Sequence, residues 1–166
     1  MKNIVLIYNP VAGALRHAPN QIEKLMVALE QHGISAVPRP TSYAGHATEL
    51  ARQAVADNVS IVIVCGGDGT VNEVAQALVG TKTAIAVWPC GTANVLADEL
   101  RLPKTVDGLA MLIAENQVRT ISVGKAVKAE TGWQRYFLLM AGIGLDATIV
   151  QNVNPELKKS LGKAAY

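Results

Sequence analysis

Cysteine is scarce in this chain: Cys65 and Cys90 are the only two in 166 residues. Two cysteines build no disulfide scaffold, and with His17, His32 and His46 scattered along the sequence they make no zinc-ligand set. Aromatic residues are few as well, with two Trp, four Tyr and one Phe, so the stacking platforms of single-stranded nucleic-acid binders are missing. Charged residues make up 17% and the formal net charge is +2. That excludes the charge-rich composition of disordered chains and the basic face of a nucleic-acid binder. No apolar run reaches the roughly 18 residues of a membrane span. The start, MKNIVLIYNP, is basic and then apolar, but it is short and no small-residue cleavage site follows. It reads as a strand and not as a signal peptide.

What the chain has in abundance is aliphatic. Half of it is hydrophobic, mostly Ala, Val, Leu and Ile, and the mean hydropathy is +0.25. This suits a parallel sheet buried under Ala-rich helices. The length is that of one domain able to bury a core without staples, with room for part of a second. Strand and helix signals alternate. Residues 3–8 (NIVLIY) and 59–65 (VSIVIVC) are continuous apolar runs, as in strands buried on both faces. Short strands are predicted at 34–37, ended by the Pro38-Arg39-Pro40 breaker, at 84–88 and at 118–123. Helices are predicted from Pro19 to about His32, at 45–56, 70–78, 92–100 and 106–115. This βαβα order predicts a three-layer α/β sandwich with a mostly parallel sheet, whose ligands bind at the carboxyl ends of the strands. Residues 119–127 and 135–141 read as a hairpin around Glu130-Thr131-Gly132. Asn154-Pro155 opens a further helix that stops abruptly at Tyr166. The expected division is therefore an α/β domain over 1–123, then over 124–166 a connecting hairpin and the beginning of a β-rich domain.

Three turns at the carboxyl edge, after Tyr8, Cys65 and Trp88, carry small and polar residues, and a fourth such segment follows the second strand. The sharpest is Gly66-Gly67-Asp68-Gly69-Thr70-Val71-Asn72, between a buried strand and a helix start. Its glycines are expected to take positive φ and to let backbone N–H groups approach a phosphate. The helix N-terminus adds partial positive charge. Thr70 is placed to cap the helix or to bond a phosphate oxygen. Asp68 either caps the helix or meets phosphates through Mg²⁺ held by water. The second turn is Pro89-Cys90-Gly91-Thr92-Ala93-Asn94, where Thr92 and Asn94 offer a hydroxyl and an amide unless they only cap the helix. In the third, Asn9-Pro10-Val11-Ala12-Gly13, Asn9 orients a base, ribose or phosphate, or belongs to a plain turn. In the fourth, Thr41 lies near the site edge and His46 caps or packs its helix. Cys65 and Cys90 are expected to end neighbouring strands as small buried residues. The P-loop pattern G-x-x-x-x-G-K-[ST] and the dinucleotide fingerprint G-x-G-x-x-G are both absent. Lys158, Lys159 and Lys163 form a small basic cluster, read as a solvated helix face or an anionic membrane contact.

With NPVAG, TSYAGHATELARQA, GGDGTVNEV, PCGTANVLADEL and GIGLDA in this order, the sequence resembles the diacylglycerol kinase catalytic-domain family. Its bacterial members are lipid kinases, and sphingosine and ceramide kinases are relatives. GGDGT is shared with NAD kinases and phosphofructokinases, while VNEV and GTAN favour the lipid-kinase branch. The resemblance implies that this is the ATP-binding part of the fold. It makes Asn9, Thr41, Gly66, Gly67, Asp68, Gly69, Thr70, Val71, Asn72 and Thr92 nucleotide contacts, with Asp68 serving the phosphate and Mg²⁺ chemistry. The implied reaction moves the ATP γ-phosphoryl group to a lipid hydroxyl, mostly by positioning and charge stabilisation. Soluble-substrate kinases and non-catalytic nucleotide modules are the alternatives. Many members read G-T-x-N-D, whereas Val95 stands here, with Asp98 one turn along as a candidate substitute. The family chain continues into a β-rich domain holding the general base and a structural Mg²⁺ site. The resemblance therefore places the general base beyond Tyr166, in a C-terminal partner domain. A cytoplasmic chain with transient contact at a membrane surface fits that substrate, and the apolar surface of an isolated half leaves self-association open.

Overall fold

The computed structural model describes residues 3–142 apart from Pro19, together with Gly144 and Thr148. The expectations resting on Pro19, on Asp146, on the helix from Asn154-Pro155 to Tyr166 and on the lysines at 158, 159 and 163 lie outside the described residues. So does the expectation of a general base beyond Tyr166, since Tyr166 itself is not among the described residues.

Four parallel strands form the central sheet: β1 (Ile4–Tyr8), β2 (Ala36–Pro40), β3 (Ile61–Gly66) and β4 (Ala84–Pro89), in the spatial order β2-β1-β3-β4. Between them run α1 (Gly13–His17), α2 (Gln21–Gln31), α3 (His46–Ala56) and α4 (Asp68–Leu78). After β4 come α5 (Val95–Glu99) and α6 (Val106–Glu115). Successive side chains of a strand face opposite sides, and the core divides accordingly. Ile4, Leu6, Ile61 and Ile63 meet Leu25 and Leu29 of α2 and Leu109 and Ile113 of α6. Val5, Ile7, Val62 and Val64 meet Ala47, Ala51 and Ala54 of α3 and Val71, Val74 and Leu78 of α4. The result is the expected three-layer α/β sandwich. Every residue of β3 is buried, each large aliphatic there contributing about 1.5–3 kcal/mol of burial. The alanines of α3 let that helix lie close to the sheet.

Several elements differ from their sequence-based bounds. β2 runs through both prolines that were expected to end it. It is an edge strand paired only with β1, with Leu6 opposite Pro38 and Tyr8 opposite Pro40. Alternate N–H groups point away from β1, so Pro38 and Pro40 occupy positions where no donor is needed; the Thr41 N–H, one residue on, donates to the Tyr8 carbonyl at 2.8 Å. Residues 118–123 form no strand. The segment has strand-like composition but pairs with no strand, and Val118, Arg119 and Thr120 are exposed. The hairpin is antiparallel as expected but shorter, with β5 (Gly124–Val127) paired to β6 (Gln134–Phe137). α4 begins two residues earlier than predicted, and α5 covers only Val95–Glu99 because Asn94, at φ 53°, holds a left-handed N-cap ahead of it.

Candidate functional site

The chain leaves β1 for β2 on one side and later returns to β3 on the other, so the strand order reverses between β1 and β3. Loops diverge at such a switch point and leave a crevice at the carboxyl edge. The four turns singled out in the sequence stand side by side there, laced by backbone bonds. Thr41 N donates to Tyr8 O at 2.8 Å, Asn9 N to Cys65 O at 2.9 Å, Cys90 N to Gly66 O at 3.0 Å and Ala14 N to Cys90 O at 3.0 Å.

The glycine-rich loop and the 90–94 loop are fused into one unit. A Cβ on Gly67 would come 3.2 Å from the Gly91 Cα, and a Cβ on Gly91 would collide with the Gly67 Cα. On Gly66 it would meet Thr70 Oγ1 at 2.7 Å. None of Gly66, Gly67 and Gly69 has positive φ, which corrects the reason expected for these glycines: what excludes a side chain at 66 and 67 is close approach. Gly69, in the first turn of α4, has open space where its Cβ would stand. The first amides of α4 have no intrahelical acceptor and carry the positive end of the helix dipole, an anion-binding geometry.

Asp68 is not the N-cap of its own helix; Gly67 is. Its carboxylate reaches across to α5 instead, where Oδ2 accepts the Val95 N–H at 3.1 Å and Oδ1 the Leu96 N–H at 3.2 Å. Asn94 turns its amide back on its own loop, accepting from Gly91 N at 2.9 Å and donating to Gly91 O at 2.8 Å. Asn9 does likewise, Oδ1 accepting the Val11 N–H at 3.0 Å. Thr70 makes no capping bond in α4. His46 opens α3, and its Nδ1 accepts the Ser42 N–H at 3.1 Å. Its ring stacks on Tyr43, centroids 4.5 Å apart. The Tyr43 hydroxyl donates to Glu49 at 2.6 Å, and that bond, with lesser help from desolvation and the Glu49 charge, raises its pKa. Asp98, the candidate substitute one turn beyond Val95, pairs with Lys104 at 2.7 Å and does not line the groove or the crevice beside Asp68.

Beneath the loops Cys65 and Cys90 are free thiols, both buried, with sulfurs 2.7 Å apart. Burial, with the Cys90 thiol beside it, pushes the Cys65 pKa well above the ordinary thiol range, and both side chains pack in the core.

A groove of about 210 Å³ opens beside Asp68. Asp68, Val71 and Asn72 form one wall, Val95 and Leu96 the base, and residues 137–140 the other wall. Gly66 and Gly67 line an adjoining narrow crevice with Pro89 and Asn94. Of the residues expected as contacts, Gly66, Gly67, Asp68, Val71 and Asn72 meet here. Gly69 and Thr70 follow in the first turn of α4, while Asn9, Thr41 and Thr92 stand along the same edge without lining either space. The 137–140 wall and Gln76, which holds it, carried no motif; the one sequence sign of Gln76 is its place one turn after Asn72. Among the described residues no three His, Cys, Asp or Glu side chains gather in a way that holds a metal. Asp68 is the one carboxylate of the groove wall, a donor set that fits Mg²⁺ arriving with phosphates and not a protein-only cage.

Fold and edge together define the class: an open α/β sandwich whose glycine-rich loop enters a helix at the topological switch point of a parallel sheet. The model of the diacylglycerol kinase catalytic domain matches residues 3–126, and the chain belongs to that family. It is 31% identical over 172 residues to a diacylglycerol kinase of Bacillus subtilis, covering all of this chain and 54% of that protein. A Staphylococcus aureus diacylglycerol kinase is 28% identical over 167 residues, at 99% and 51% coverage. The crystal structure of a diacylglycerol kinase from Bacillus anthracis superposes with a TM-score of 0.67 at 28% identity, covering 82% of this chain and 48% of that one. The chain thus spans about half the length of the relatives it matches.

Proposed function

We propose that this chain is the ATP-binding part of a lipid kinase, and that the complete protein moves the ATP γ-phosphoryl group to the hydroxyl of diacylglycerol or a related lipid. Membership in a kinase family implies ATP use. The observation that carries the finer reading is the fused loop pair, in which Gly67 and Gly91 touch backbone to backbone beside the free amides of the α4 N-terminus. On this reading the amides of Gly67, Gly69 and Thr70 receive the phosphates, Asn72 and Val71 line the nucleotide's groove, and Asn9, Thr41 and Thr92 reach the nucleotide from the same edge. Asp68 holds the 90–94 loop in register and faces the phosphates. Asp68 would hold Mg²⁺ arriving with ATP through water, and the ion would supply charge neutralisation on the transferred group. Residues 1–123 form the nucleotide domain, and 124–166 lead into the lipid-binding partner domain, which supplies the general base beyond Tyr166. No helix among the described residues is long and apolar enough to cross a membrane, and contact with lipid is proposed to occur at the membrane surface from the cytoplasmic side.

The test pairs binding with transfer. The 166-residue chain is expected to bind ATP with Mg²⁺ and to phosphorylate diacylglycerol in detergent micelles at no more than background. Failure to bind ATP, robust lipid phosphorylation by this chain, or phosphorylation of NAD in place of lipid would each contradict the reading.

A further inference from the structure

Gln76 lies one helical turn beyond Asn72 on α4, half-buried and outside every motif of the sequence. Its side-chain amide faces the free edge of β6. Tyr136 lies opposite Lys125 in the hairpin, with its own N–H and C=O directed away from β5. Gln76 Oε1 accepts the Tyr136 N–H at 2.9 Å, and Gln76 Nε2 donates to the Tyr136 carbonyl at 2.9 Å. One side chain therefore supplies both bonds that a neighbouring strand would make. The same Nε2 is 2.9 Å from the Asn72 carbonyl oxygen and 3.4 Å from Asn72 Oδ1.

Asn72 lines the groove, and Tyr136 directly precedes the residues that form its other wall, Phe137 to Met140. A short hairpin has little to fix its position against a helix, and a slip of one residue would exchange the faces of all its side chains. A single amide that reads both the N–H and the C=O of Tyr136 forbids that slip. We propose that Gln76 is a positioning residue that fixes both walls of the groove and so sets its affinity for nucleotide, an inference that rests on the ATP-binding reading above.

Hydrogen exchange and calorimetric titration with ATP and Mg²⁺ on the 166-residue chain test it. In Gln76→Ala the Tyr136 amide is expected to exchange about tenfold faster or more, with 138–140 following, and ATP affinity to fall about tenfold, the loss of two hydrogen bonds. The amides of β3 should stay as slow as before, which verifies the fold. Gln76→Glu keeps the acceptor and loses the donor, so the Tyr136 amide stays slow while affinity falls to an intermediate value. Unchanged Tyr136 exchange in Gln76→Ala, or fast exchange with unchanged ATP affinity, overturns the positioning role. A folded wild-type chain that binds no ATP overturns the nucleotide reading, and this inference with it.

Discussion

Gly67 and Gly69 flank Asp68 in one loop, yet the structure gives them opposite constraints. A side chain at 67 meets the backbone of Gly91, whereas one at 69 meets nothing of the protein. Gly67→Val should therefore expel the 90–94 loop, costing about 1–3 kcal/mol, and abolish nucleotide binding. Gly69→Ala should leave the fold intact or stabilise it by up to about 1 kcal/mol, since Ala is the better helix former, while its methyl group weakens ATP binding at the amides. Urea denaturation and titration calorimetry on both variants check this; strong ATP binding by Gly67→Val contradicts it. The glycine loop was legible because three glycines between an apolar run and a helix have few other uses. Its cause was not, because the loop that Gly67 touches is distant in sequence and no local signal records the approach.

Asp68 links elements that the sequence left separate. Its two oxygens take the first amides of α5 from across the crevice, so the glycine-rich loop is tied to the start of α5. Asp68→Ala should expose the Val95 and Leu96 amides to faster hydrogen exchange and cost about 1–3 kcal/mol for hydrogen bonds to a charged acceptor. Asp68→Asn should recover part of this, because one of its two oxygens becomes an NH2 group that cannot accept. Exchange at 95 and 96 unchanged in Asp68→Ala would contradict the tie. Apolar runs and alternation made the sheet and its main helices legible. Strand ends were less so: Pro38 and Pro40 read as a breaker because a sequence does not say which strand lies at an edge, and 118–123 read as a strand because composition does not say whether a segment finds a pairing partner.

In the molecule as a whole, two apolar layers hold a parallel sheet rigid, and the residues of chemical interest stand on the loops at one end of it. The turns that line that end were predictable, since alternation of strands and helices in a parallel sheet puts the turn after each strand at the same edge. The second wall of the groove was not, because it depends on how the β5–β6 hairpin docks on α4 through Gln76. The family assignment rests on residues 3–126, and the relatives extend to about twice this length. The central claim is that the fused loops at the carboxyl edge form an ATP site. Titration calorimetry of the 166-residue chain with ATP, with and without Mg²⁺, tests it most directly. One ATP per chain, bound more tightly with Mg²⁺ and not bound by Gly67→Val, is the predicted result; a folded chain that takes up no ATP at millimolar concentration would contradict it.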